Sequence, residues 1–271
     1  MKSKKIIMKK ILLTLAITSM LFTSCSEYQQ LLKKGDLAAK YKAAEEYYNA
    51  GEYKKALRIL QLIVPSYRGK AQAERVLFYE ADTYYKLEDY YIASYKAERF
   101  LKAFPKSDKA EEMQFKEGRS IFELSDRYSL DQTQTLEAVD KLQRFINEHP
   151  ESEYLEEANK YAIQLQSRLE EKYYRIAKRY HHREIYKSAI KAFDNYMLDY
   201  PGSEFTEEAL YYKQDAAYEL AINSFEKLVA ERLLEAKEYN DSYLSYAKDE
   251  TLKKKAQKIA EDIKNRLESV N

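Results

Sequence analysis

The chain has 271 residues, with 46 Lys and Arg against 45 Asp and Glu. It is nearly neutral, so it lacks the basic footprint of a nucleic-acid binder. Glycine (5) and proline (4) are too scarce for a sheet-rich or loop-rich fold, and a single cysteine leaves helix packing, not disulfides, to stabilise the chain.

The first element in chain order is an export signal. Met1–Lys10 carries five lysines, and the apolar run Ile11–Phe22 is about a dozen residues. That run suits a cleaved signal peptide, and it is short of the roughly 20 residues that a membrane-spanning helix needs. It ends in Thr23-Ser24-Cys25, which resembles a bacterial lipoprotein signal. In such signals the cysteine is lipidated and becomes the first residue of the mature protein. Phe22 departs from that pattern, which usually carries Leu three residues before the cysteine. The expected division is a signal over 1–24, an anchor linker over 25–36, three repeats over 37–150, and two repeats with a capping helix over 151–271.

Three later segments align without gaps on the pattern P-x-S-[DE]-x-x-E-E-[AM]. They begin at Pro105, Pro150 and Pro201. Pro ends the preceding helix, and Ser107, Ser152 and Ser203 are placed to cap the next one. The Glu pairs Glu111-Glu112, Glu156-Glu157 and Glu207-Glu208 suit the positive end of its dipole. Ala93, Ala138 and Ala189 each precede a Pro by twelve residues, and Tyr53, Tyr90 and Tyr186 stand three residues before Ala56, Ala93 and Ala189. This Y-x-x-A…P frame resembles the tetratricopeptide (TPR) repeat, a helix–turn–helix unit of about 34 residues. The expected fold is all-α, a superhelical array of about five such repeats. Helix pairs are expected at Leu37–Asn49 with Tyr53–Val64, Ala71–Leu87 with Tyr90–Phe104, and Asp108–Leu124 with Leu136–Glu148. Glu153–Tyr180 with Ile185–Asp199 follows, then a fifth repeat from Glu204 to about Asn240. Ser66–Gly69 is expected to turn the chain after an early Pro65, and Asp126–Thr135 reads as an insertion. Tyr246-Ala-Lys-Asp-Glu250 reads as a worn copy of the motif, with Asp249 capping a last helix to Val270.

The lipoprotein signal, the repeat count and the local text of repeat four together resemble the BamD family of outer-membrane assembly lipoproteins. That text is Tyr173-Tyr174-Arg-Ile-Ala177, then Tyr186-Lys-Ser-Ala189, then Tyr200-Pro201-Gly-Ser203. The resemblance implies a lipid anchor on Cys25 at the periplasmic face of the outer membrane. It also implies a role in folding and inserting β-barrel proteins. The N-terminal repeats would receive C-terminal segments of unfolded barrels, and the C-terminal repeats would dock a BamA-like barrel partner. No nucleic acid and no cofactor beyond the covalent lipid are expected. Other periplasmic TPR adaptors, of the Tol-linked constriction kind or the glycan-uptake kind, are the alternative.

No enzyme chemistry is visible. His181 and His182 are adjacent and diverge by about 100° on a helix, so they do not form a metal site, and no nucleophile triad or phosphate loop occurs. The tyrosines are more informative. Of the doublets on first (A) helices, Tyr47, Tyr84, Tyr173 and also Tyr180 fall on packing positions of the TPR pattern. Tyr41, Tyr48, Phe78, Tyr85, Tyr174 and His181 fall on its groove side. Tyr41, Tyr48, Phe78 and Tyr85 are the candidate groove for a substrate peptide, since Tyr offers a stiff apolar face with a polar tip. Arg168, Lys172, Arg175 and Arg179, at near-helical spacing, are the candidate docking surface for an acidic partner.

Overall fold

The structure, a computed structural model, describes residues 27–270, so the expected signal 1–24 and Cys25 lie outside the described residues. Twelve helices and no strand occur among the described residues. They are α1 (27–34), α2 (Leu37–Asn49), α3 (Tyr53–Tyr67), α4 (Ala73–Lys86), α5 (Tyr90–Ala103) and α6 (Ala110–Leu124). The others are α7 (Thr133–Glu148), α8 (Leu155–His182), α9 (Tyr186–Asp199), α10 (Thr206–Ile222), α11 (Glu226–Tyr246) and α12 (Glu250–Val270). The chain is an all-α repeat array: α2 to α11 make five helix pairs, and α12 closes the last.

The Y-x-x-A signal works by size. Ala56, Ala93, Ala138 and Ala189 are all buried, on α3, α5, α7 and α9. A methyl at each place lets the second (B) helix of a repeat lie close to its A helix. The serines act one step earlier than expected. Ser107, Ser152 and Ser203 accept hydrogen bonds from the backbone N–H two residues on, at 3.0, 3.1 and 3.3 Å. They therefore cap a lead-in turn, and the α-helix proper starts at the third residue after each serine.

Two compact units divide the chain. The first runs to Leu124 and resumes over Glu137–Tyr161; the second takes Ser125–Leu136 and everything from Ala162. The later boundary between the units thus lies inside α8. In the first unit, Ile59, Leu60, Ile63 and Phe100 are fully buried and anchor the core. In the second, Phe193, Tyr196, Leu233 and Ile263 do so, with alanines from α8 to α11 between them.

Three expectations are corrected. Residues 27–34 of the anchor linker are helical: Tyr28, Leu31 and Leu32 pack on the first core. Pro65 lies inside α3, which runs on to Tyr67 because Val64 and Tyr67 are buried. The turn is made at Arg68-Gly69, with Gly69 at φ 74°. The fifth repeat, expected from Glu204 to about Asn240, is two helices, and the second runs on to Tyr246. Asn223 Nδ2 donates to the carbonyl of Glu219 (2.9 Å) and Ser224 Oγ to that of Leu220, so side chains compete with the backbone for those acceptors and α10 stops. The last cap is as expected: Asp249 Oδ1 accepts from the N–H groups of Thr251 and Leu252 at 2.7 and 2.9 Å.

Candidate functional site

The A helices of the first unit are tied together at intervals of 34 residues. Tyr79 OH donates to Glu45 (3.1 Å), Tyr48 OH donates to Asp82, and Lys116 Nζ donates to Asp82. Each step spans 34 residues, the length of one TPR unit, so equivalent positions on α2, α4 and α6 face one another. Arg75 pairs with Glu45 and donates from Nε to Tyr79 OH at 3.1 Å. Glu112, one turn before Lys116, is its second carboxylate. The face continues through Arg119, which pairs with Glu157 on α8 at 3.1 Å.

Asp82 and Lys116 are both buried. An ion pair removed from water is costly to break, because the surviving charge has no solvent. Burial, and then the hydrogen bond to the Asp82 carboxylate, push the Tyr48 phenol far above its ordinary range, which fixes it as a donor. Burial likewise raises Tyr85. Burial opposes ionisation of Glu112, but the hydrogen bonds from Lys116 and Lys109 outweigh it and hold the carboxyl below its ordinary value of 4.5.

The expected groove residues share this face with different exposure. Tyr48 and Tyr85 are half-buried. Tyr48 lies 4.5 Å from Tyr79, and Tyr85 lies against Tyr90 with Lys116 and Arg119 at 5.3 and 5.6 Å from its ring centre. Tyr41 is half-buried and packs on Tyr67 at 5.5 Å. Phe78 is buried, 8% exposed, and packs on Phe100 and Tyr79. Even so, it forms part of an open cleft with Ala71, Glu74, Arg75, Tyr79, Asp108 and Lys109. Lys109 Nζ lies 5.1 Å from the Phe78 ring centre.

In the second unit the expected roles of one doublet are exchanged. Tyr174 is buried, stacks on Phe205 at 4.7 Å and donates to Glu208. Tyr173 and Tyr180, expected to pack, are exposed; Tyr173 stacks on Tyr200 at 5.7 Å. His181 Nε2 meets Asp215 at 2.6 Å, again 34 residues away. The four candidate docking cations separate into two kinds. Arg168 donates to the Ser125 carbonyl at 3.3 Å and to its hydroxyl, and Lys172 donates to the Leu130 carbonyl at 2.5 Å. Both fasten the inserted loop to α8. Arg175 and Arg179 are exposed; Arg175 pairs with Glu171 at 3.2 Å and lies 5.9 Å from the Tyr128 ring centre.

The Glu pairs of the repeated motif do more than face a helix dipole. Glu111 accepts from Ser152 Oγ at 2.5 Å, and Glu207 accepts from the N–H groups of Lys248 and Asp249, both at 2.6 Å. In the first and third pairs the first Glu thus binds the start of the next element. The second Glu binds along the A-helix face, as in Glu112–Lys116, Glu157–Arg119 and Glu208–Tyr174. Sequence reasoning missed these contacts. The signal that would have found them was present: add 34 to Tyr48, Asp82, Tyr174 or His181 and a complementary group appears. Among the described residues no group of three or more His, Cys, Asp or Glu is placed to hold a metal ion.

Fold and face together define a helical-repeat protein with a polar, aromatic-lined A-helix surface, an arrangement suited to binding other proteins. Residues 34–233 match the YfiO family, described as outer membrane lipoprotein, and the chain belongs to that family. Its curated relatives include a protein of Pasteurella multocida (strain Pm70) described as "Outer membrane protein assembly factor BamD". The two are 22% identical over 219 residues, or 77% of this chain and 84% of the relative. A solved chain described as "Computational Design of Self-Assembling Cyclic Protein Homooligomers" aligns over 94% of both chains at 15% identity. Its TM-score is 0.21. No helix among the described residues is long and apolar enough to cross a membrane.

Proposed function

We propose that this protein is a non-catalytic scaffold of outer-membrane β-barrel assembly, anchored on the periplasmic side by lipid on Cys25. Membership of an outer membrane lipoprotein family and a relative described as an assembly factor support that reading. The observation that carries the binding role is the A-helix face of the first unit. There Tyr48, Phe78 and Tyr85 stand among Arg75, Lys109, Lys116 and Arg119.

Unfolded barrel segments alternate apolar and polar residues. The half-buried rings accept the apolar ones, while the cations suit carboxylates and backbone carbonyls. Affinity is modest, because an unfolded partner loses entropy on ordering. The docking role falls to the exposed cations of α8, Arg175 and Arg179, with Arg168 and Lys172 holding the neighbouring loop in place. The partner is a BamA-like barrel protein.

A photo-crosslinking side chain tests both roles in cells. At Tyr85 it should capture unfolded barrel chains, and at Arg179 a folded barrel partner. Capture of Tol components or glycan-uptake proteins at both positions would replace this reading with the adaptor alternative.

A further inference from the structure

The repeat array begins two residues after Cys25 in the chain. Only Ser26 separates Cys25 from the first described residue of α1, Glu27. Two extended residues span at most about 7 Å. A lipoprotein whose fold hangs from a flexible tether would need a longer free segment.

α1 is not such a segment. Tyr28, Leu31 and Leu32 pack on the core of the first unit, and Tyr28 OH donates to the Lys55 carbonyl of α3 at 3.1 Å. The Tyr28 ring meets Tyr47 of α2 edge-on at 5.5 Å. Only Gly35 and Asp36 join α1 to α2. Gly35 N–H donates to the Leu31 carbonyl at 2.9 Å, and a Cβ on Gly35 would stand 2.6 Å from that oxygen, so the turn admits no side chain there. Asp36 then caps α2 through the Ala39 N–H at 2.7 Å. The helix is thus fixed at both ends of its contact with repeat one.

We propose that α1 is a strut that holds the first repeat against the lipid surface, a reading that rests on acylation of Cys25. The outward residues of α1 are Glu27, Gln29, Gln30, Lys33 and Lys34. None is apolar, so this side lies at the level of the headgroups and does not enter the hydrocarbon. Lys33 and Lys34 suit lipid phosphates. The consequence is positional: repeat one, with α2 and its Tyr41 and Tyr48, works next to the membrane surface and not at a variable distance from it.

The experiment uses the full acylated chain in vesicles of phosphatidylethanolamine and phosphatidylglycerol. A fluorophore on Lys34→Cys, the one free thiol once Cys25 is acylated, is read against a quencher on the lipid headgroups. A second chain carries twenty Gly and Ser residues between Ser26 and Glu27, a coil of about 25 Å root-mean-square length. The strut predicts strong quenching at native spacing and a loss of at least about threefold with the insertion. A third chain, Leu31→Asp with Leu32→Asp, undocks α1 and should fall between the two. Equal quenching of the native and inserted chains, both carrying acyl mass on Cys25, would overturn the strut alone. A chain without acyl mass would overturn the anchor and the strut together.

Discussion

Repeats two and four place an aromatic ring at the same position of their A helices and cover it with different chemistry. Phe78 on α4 is covered by the ammonium of Lys109, and Tyr174 on α8 by the ring of Phe205. Lys109 and Phe205 are equivalent residues, each four places after its motif Pro. Tyr154 is the third of the set and stacks on Phe115 at 4.7 Å. This motif position is thus a lid over the preceding A helix. All three covered rings are buried, and where the lid is a ring the aromatic beneath is locked by stacking. Where it is Lys, the cover is a flexible chain with a hydrated head, and an open cleft remains beside the ring. One substituted position separates a ring closed over by stacking from a ring that borders an open cleft.

A second contrast concerns charge. Among its 34-residue contacts the first unit has a buried Asp82–Lys116 pair, and the second has His181–Asp215, which lies partly exposed. Asp82→Ala should therefore cost about 3 kcal/mol, because Lys116 keeps only Glu112 in a buried place. Asp215→Ala should cost about 1 kcal/mol, since the His181–Asp215 pair is partly exposed and water can replace the lost partner. Urea denaturation of both variants checks this, and equal losses would remove the contrast.

The lids come next in size. Phe205→Ala should lower stability by about 2 kcal/mol through lost stacking on Tyr174. Lys109→Ala should stay within about 0.5 kcal/mol of the parent. Comparable losses would show that Lys109 packs as firmly as Phe205.

The smallest effect is on pH dependence. The folded pKa of Glu112 lies below 4.5, so its bonds to Lys116 and Lys109 contribute fully above that pH and fade as pH falls through the folded value. Glu112→Gln should therefore be less stable than the parent at neutral pH, with the gap closing in acid. A gap that is constant with pH would mean that charge on Glu112 contributes nothing.

Much of this architecture was legible in the residues. Small buried alanines and the P-x-S punctuation placed most helix boundaries within three residues, because backbone sterics and capping are local. What was missed depended on neighbours. Tyr173 and Tyr174 are indistinguishable by type, and only Phe205, brought over from the next repeat, decides which of them is buried. α1 carried a readable signal in Tyr28, Leu31 and Leu32 at helical spacing, but its partners on α2 and α3 lay outside so short a segment. The groove was read as a row of rings. The charges between them, Arg75, Lys109, Lys116 and Arg119, emerge only once equivalent positions face one another across repeats.

The claim that an open lid makes the receiving site is tested most directly by Lys109→Phe, which gives repeat two the lid of repeat four. The measurement is fluorescence anisotropy with a synthetic C-terminal barrel segment ending in an aromatic residue, alongside the melting temperature of the variant. The account predicts binding weakened by at least about tenfold, with a melting temperature equal to or above that of the parent. A folded Lys109→Phe variant that binds the segment as tightly as the parent would contradict it.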